Sequence, residues 1–222
     1  MKEKMPLSIN QLIANLRSNS EARIPSKLNK RLSSFKMEDL ALLLQAFFED
    51  VILQSGGKAV IGEFTLRKIK AVVVWLCNSP RPGLLLYGNC GLGKTVMLHA
   101  LHRLLTYPVG AFDVLMYSAE RLVELFRDNR DLFYEVRSCR ILIVDDVGCE
   151  PVRCVIYGTD YAPIRDILSW RYEHRLVTVL STNLDDKKIS SAYGERVWDR
   201  ICESYDRIVY EGESFRKTGR PE

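Results

Sequence analysis

Gly88-Asn89-Cys90-Gly91-Leu92-Gly93-Lys94-Thr95 is the stretch that decides the fold: a glycine, four residues, then Gly-Lys-Thr, the spacing of a phosphate-binding loop. Its flanks have the character such a loop requires. Leu84-Leu85-Leu86-Tyr87 is a continuous apolar run, as a buried strand should be, and Thr95 to Leu101 continues with helical spacing and no breaker. Gly88, Gly91 and Gly93 let the backbone curl at positive φ so that successive N–H groups face one anion, and the helix beginning near Lys94 adds its partial positive charge. Lys94 is expected to reach the β and γ phosphates of a nucleotide, and the Thr95 hydroxyl to ligate a bridging Mg²⁺. Asn89, Cys90 and Leu92 contribute mainly backbone, and Val96 completes the expected nucleotide-binding set.

Downstream, apolar runs alternate with helical patterns. Phe112 to Tyr117 reads as a second strand, after which Ser118 caps a helix with Leu122, Val123, Leu125 and Phe126 on one face. Ile141 to Val144 reads as a third strand, Tyr161 to His174 as a helix, Leu176 to Ser181 as a fourth strand, Glu195 to Cys202 as a helix and Arg207 to Tyr210 as a last strand. This pattern predicts an α/β fold, a five-stranded parallel sheet between helices.

In such a sheet, chemistry is expected at the carboxyl ends of the strands. Asp145, directly after the third run, is the candidate Mg²⁺ ligand, since a hard cation prefers carboxylate oxygen. Asp146 is placed to orient or deprotonate an attacking water, with Glu150 a rival for that role. Asn183 follows the fourth strand, where its amide either holds the lytic water or caps a turn. Arg196 and Arg200 lie four apart, hence on one helical face. They either reach a neighbouring subunit's nucleotide or pair within their helix with Asp199 or Glu203.

Upstream of the loop, Met37 to Leu53 and Thr65 to Cys77 carry helical apolar stripes, the first stopped by Gly56-Gly57. Residues 1–60 read as a basic N-terminal helical module for partner binding, and residues 61–222 as the nucleotide-binding domain. The basic start either grips nucleic acid or a partner protein, or is a solvated face. The chain has 222 residues, is 47% hydrophobic and carries a formal charge of +4, which suits a globular core and permits an acidic partner without demanding one. No targeting segment is visible and no apolar run is long enough to span a bilayer. Six cysteines include no C-x-x-C pair, which speaks against zinc or a redox couple and for reduced, mostly buried thiols in the cytoplasm.

Taken in order, Leu84 to Gly88 with the phosphate loop, Ile141 to Gly148 with Glu150, Ser181 to Leu184, Arg196 to Arg200 and Gly212 to Arg216 resemble the AAA+ ATPases. Within these the chain is similar to the helicase loader and transposition helper group, the DnaC-like and IstB-like ATP-binding proteins. The resemblance implies self-association in a ring or filament on ATP binding, with Asn183 as sensor 1, Arg200 as an arginine finger acting in trans and Arg196 beside it. It also implies that no C-terminal helical lid is present and that Arg216 approaches the nucleotide. In this group the helical segment between the second and third strands can face single-stranded DNA, and here it offers Arg121, Arg127, Arg130, Phe133 and Tyr134. The plainer alternative is that the aromatic rings are core and the arginines solvated.

The expected function is that of an ATP-binding and hydrolysing protein with Mg²⁺, acting on a replicative helicase or a DNA complex. One alternative is a transposition helper that binds double-stranded DNA and delivers a transposase; another is a nucleotide-gated interaction module with little turnover. A small-molecule kinase would need lid arginines after the third strand, and no clear set is present.

Overall fold

The computed structural model describes Leu32 and residues 34–58, 61–107 and 113–212. The basic N-terminal arm up to residue 31 and Arg216 lie outside the described residues. Among the described residues, two helices come first, α1 (Met37–Gln54) and α2 (Glu63–Asn78), followed by strand β1 (Gly83–Gly88) and helix α3 (Lys94–Thr106). Then come β2 (Val114–Ser118), α4 (Ala119–Asp128), α5 (Arg130–Ser138) and β3 (Ile141–Val147). A short hairpin, β4 (Cys154–Ile156) and β5 (Thr159–Tyr161), precedes α6 (Pro163–Glu173) and β6 (Val177–Thr182). Helices α7 (Asp186–Tyr193) and α8 (Glu195–Ser204) lead into β7 (Tyr205–Tyr210).

Five strands form one parallel sheet in the order β2-β3-β6-β1-β7. Alternation along the strands sorts their side chains into two cores. Leu84, Leu86, Ile141, Ile143, Val177 and Val179 face α1, α2 and α3. Leu85, Leu142, Val144 and Leu180 face the opposite layer, built from α4 to α8. Helix α1 belongs to the first layer: Leu40, Leu44 and Phe48 are buried in the same cluster as Met97 and Leu101 of α3. The phosphate loop itself leans on this helix, since a Cβ at Gly93 would lie 3.3 Å from the Phe48 ring.

Local chemistry explains several boundaries. Ser118, Asn129 and Asp185 accept hydrogen bonds from the N–H groups of Arg121, Leu132 and Lys188, so each caps its helix. Asn129 thereby splits the helical segment between β2 and β3 into α4 and α5. The sequence reading found the main strands but neither the β4-β5 hairpin nor α7.

Candidate nucleotide site

The site lies where β1, β3 and β6 end. Gly88, Gly91 and Gly93 all have positive φ, at 129, 79 and 88°. Gly88 is forced to be glycine by its neighbour as well: a Cβ there would come within 2.1 Å of the Tyr210 carbonyl oxygen, the same oxygen that accepts a bond from Asn89 N–H at 3.0 Å. The loop is therefore anchored to the end of β7.

Lys94 is 5% exposed, and its Nζ donates to the carbonyl oxygens of Gly88 at 2.8 Å and Asn89 at 2.7 Å. Among the described residues it has no ion pair. Burial pushes its pKa below the ordinary lysine value, while Cys90, Asp146 and Asp145 pull it back up. A buried ammonium held only by neutral carbonyls, beside a glycine cradle at a helix N-terminus, fits a polyphosphate.

Asp145 is also buried. Its Oδ1 accepts from Thr95 Oγ1 at 3.3 Å and, closely, from Ser181 Oγ. Thr95 and Asp145 thus present two hard oxygens to one place, as suits Mg²⁺ that keeps water and phosphate oxygens for its remaining positions. No cluster of three or more His, Cys, Asp or Glu residues among the described residues forms a metal cage of its own.

Strand β3 continues through the two aspartates, with a register shift against β6 between Val144 and Val147. Asp146 sits in that irregularity at φ 53°, and its N–H donates to Ser181 Oγ at 2.9 Å. Such a bulge redirects a side chain that regular alternation would aim elsewhere. Ser181 therefore ties both aspartates to β6. Its role was missed in the sequence, where Ser181 is a polar residue ending an apolar run and the first of the stretch Ser181 to Leu184 that carries the resemblance.

Glu150, the rival for the role of base, is buried, and both its oxygens are engaged: Oε2 by Gly148 N–H at 2.8 Å and Oε1, closely, by the Tyr193 hydroxyl. Burial and the Glu150 charge push the Tyr193 pKa up, so its hydroxyl stays a donor. Asn183 is exposed just past β6, whereas Thr182 before it is buried and donates to Val147 O at 2.5 Å.

Arg200 pairs with Glu173 of α6 at 3.0 Å and lies 4.7 Å from the centroid of the Tyr172 ring, not with Asp199 or Glu203. Arg196 is exposed without an ion pair among the described residues. Phe133 is a correction to the expected DNA-facing set: it is fully buried and packs edge-on against Phe126 at 4.9 Å, so it offers no face to a base. Arg121 pairs with Glu124, and Arg127 and Tyr134 are exposed. The thiols differ from expectation too, because Cys90 and Cys149 are exposed and only Cys139 and Cys154 are buried.

Sheet order, phosphate loop and the aspartate pair define the class: an α/β domain with a phosphate loop at the end of β1 of a five-stranded parallel sheet. The particular likeness is to the DnaC-like group, as the sequence resemblance indicated. The chain is 28% identical over 151 residues to the replicative helicase loader DnaI of Bacillus subtilis (strain 168), over 62% of this chain and 46% of that protein. It therefore spans about half the length of that curated relative. Among solved structures it is similar to the DnaC helicase loader, with a TM-score of 0.55 and 20% identity over 74% of this chain and 98% of that one. It is likewise similar to AMPPCP-bound DnaA from Aquifex aeolicus, with a TM-score of 0.52 and 20% identity over 71% of this chain and 50% of that one. No family model matches the chain. No helix among the described residues is long and apolar enough to cross a membrane.

Proposed function

We propose that this protein is a Mg²⁺-dependent ATPase that acts on a replicative helicase at DNA, in the manner of a DnaC-like loader. The observation that carries the reading is the convergence of Lys94, Thr95 and Asp145 on one glycine cradle. The likeness to a helicase loader supplies the class of partner. Of the module 1–60 assigned to partner recognition, α1 and Leu32 are packed into the nucleotide-binding body, which leaves the residues before Leu32 for that role.

In this account Lys94 and the loop N–H groups hold the β and γ phosphates. Thr95 and Asp145 would hold Mg²⁺, which would supply positive charge to the phosphoryl oxygens. Asp146 accepts the proton of the attacking water, and Asn183 orients that water. Ser181 keeps both aspartates in place through its hydroxyl. Arg200 exchanges Glu173 for the nucleotide of an adjacent copy, with Arg196 beside it, so the assembled protein hydrolyses ATP faster than a single chain. Arg121, Arg127, Arg130 and Tyr134 form the DNA-facing side.

The test is capture of the host's replicative helicase by the immobilised full chain, with and without Mg-ATP, alongside phosphate release. The wild type is expected to retain helicase and to hydrolyse ATP; Lys94→Ala is expected to lose turnover and nucleotide-dependent capture together. Capture that ignores both nucleotide and Lys94 would sink the ATPase-loader reading.

A further inference from the structure

Between the aspartate pair and α6 the chain forms a hairpin that the nucleotide site does not use. Cys154 faces Tyr161, Val155 faces Asp160 and Ile156 faces Thr159. Tyr157 and Gly158 alone make the turn, both at positive φ, 50 and 78°. Turns of this kind favour Asn, Asp or Gly at the first central position, because other side chains crowd their own backbone there. A tyrosine is thus disfavoured at position 157, and its ring is fully exposed, at 103%. No contact with the described residues offsets that cost. Disfavoured backbone conformations are enriched at functional sites, so the outlier motivates a functional hypothesis.

The root of the hairpin is fixed. Cys154 is buried, Ile156 and Tyr161 pack on the second core, and the Tyr161 ring lies 5.2 Å from that of Phe126. The Arg130 guanidinium rests 4.7 Å from the centroid of Tyr161. Neither Arg130 nor Arg127 of the preceding helix has an ion pair among the described residues, whereas Arg153 is neutralised by Asp160 at 2.8 Å. The chain therefore projects one aromatic ring, with Val155 beside it at 71% exposure, from a root on which the Arg130 guanidinium rests without an ion pair among the described residues.

That combination selects the partner. A two-residue apolar tip is too small to hold a protein by itself, since stable interfaces bury roughly 800 Å² per side. One ring is enough to stack on a base, and free guanidinium groups match a phosphate chain.

We propose that Tyr157 is a base-stacking finger for single-stranded nucleic acid, with Arg130 and Arg127 meeting the adjoining phosphates. The proposal rests on the reading of this ATPase as acting at DNA. It adds a contact point rooted in the same segment as the hydrolytic aspartates: Gly148 and Glu150 tie that segment to Tyr193 of α7 just before the hairpin begins. Strand capture and nucleotide state then act on one short stretch of chain.

Binding of labelled oligothymidylate by the full chain, followed by fluorescence anisotropy over a range of salt, tests this. Tyr157→Asn removes the ring while giving Gly158 the neighbour this turn prefers, so the hairpin is kept. It is expected to weaken binding about tenfold with an unchanged salt slope, while Tyr157→Phe stays close to wild type. Arg127→Ala with Arg130→Ala is expected instead to flatten the salt slope by roughly one to two. Wild-type affinity in Tyr157→Asn overturns the finger; if the arginine variant is still weakened, the DNA reading stands without it. Absence of oligothymidylate binding by the wild type at every salt concentration overturns both. Loss of a protein partner by Tyr157→Asn with oligothymidylate binding intact gives the tip to a protein and overturns the proposal.

Discussion

Lys94 and Ser181 show how single residues set the chemistry. The unfolded chain holds the lysine proton up to its ordinary value of 10.5, while burial makes the folded chain release it earlier. Between those two values the unfolded state binds more protons, so the lysine's contribution to stability rises with pH in that window. A bound polyphosphate acts in the opposite direction by favouring the ammonium. ATP affinity is therefore expected to fall as pH rises through the alkaline range below 10.5, with proton uptake on binding. Calorimetry in two buffers of different ionisation enthalpy measures that uptake, and a pH-independent affinity would contradict it. For Ser181, replacement by alanine removes the donor to Asp145 and the acceptor for Asp146 N–H. Turnover should drop about tenfold or more with little change in nucleotide affinity, because roughly 1.4 kcal/mol of misplacement is already a factor of ten. A parallel loss of affinity would mean that Ser181 supports the fold of the loop instead.

At the scale of elements, buried polar side chains bind the helices to the sheet. Arg171 of α6 is 1% exposed and donates to Thr178 Oγ1 and to the carbonyls of Arg137, Cys139 and Val177. It clips α5 with the turn that ends it, α6 and β6 together, without a carboxylate partner among the described residues. Arg171→Met would strand several buried acceptors and should cost about 3 kcal/mol, read as a lower urea midpoint at unchanged slope. Tyr193→Phe, which leaves one Glu150 oxygen without its donor, should cost about 1–2 kcal/mol. A midpoint equal to wild type in either variant would show that water or a neighbour replaces the lost bond.

The same scale shows what was legible in the sequence. Strands β1, β3 and β6 stand out because they are buried on both faces, so their apolar runs are unbroken. Asp145 and Asp146 stand out because they interrupt such a run. The hairpin escaped notice because Cys154 to Ile156 is short and its Tyr157-Gly158 turn lacks the usual asparagine or aspartate. Helix α7 carries only two buried residues, Ile189 and Tyr193, too few to form a stripe. Ser181 and Arg171 matter through contacts 36 and 32 residues away in the chain, and no local pattern reports such pairs.

For the whole molecule, the parallel sheet with a helix layer on each face puts the phosphate cradle at one end of β1. Arg200 is elsewhere, held by Glu173 through an ion pair at 3.0 Å. Under the proposed function, one chain carries both a cradle and an arginine that would serve a neighbour's. The direct test mixes Lys94→Ala, which keeps the arginine but cannot hold ATP, with Arg200→Ala, which holds ATP but lacks the arginine. A shared site predicts that ATP turnover at intermediate ratios exceeds the sum of the two separate rates, which each alone should fall by about a thousandfold or more. Turnover equal to that sum at every ratio would contradict it.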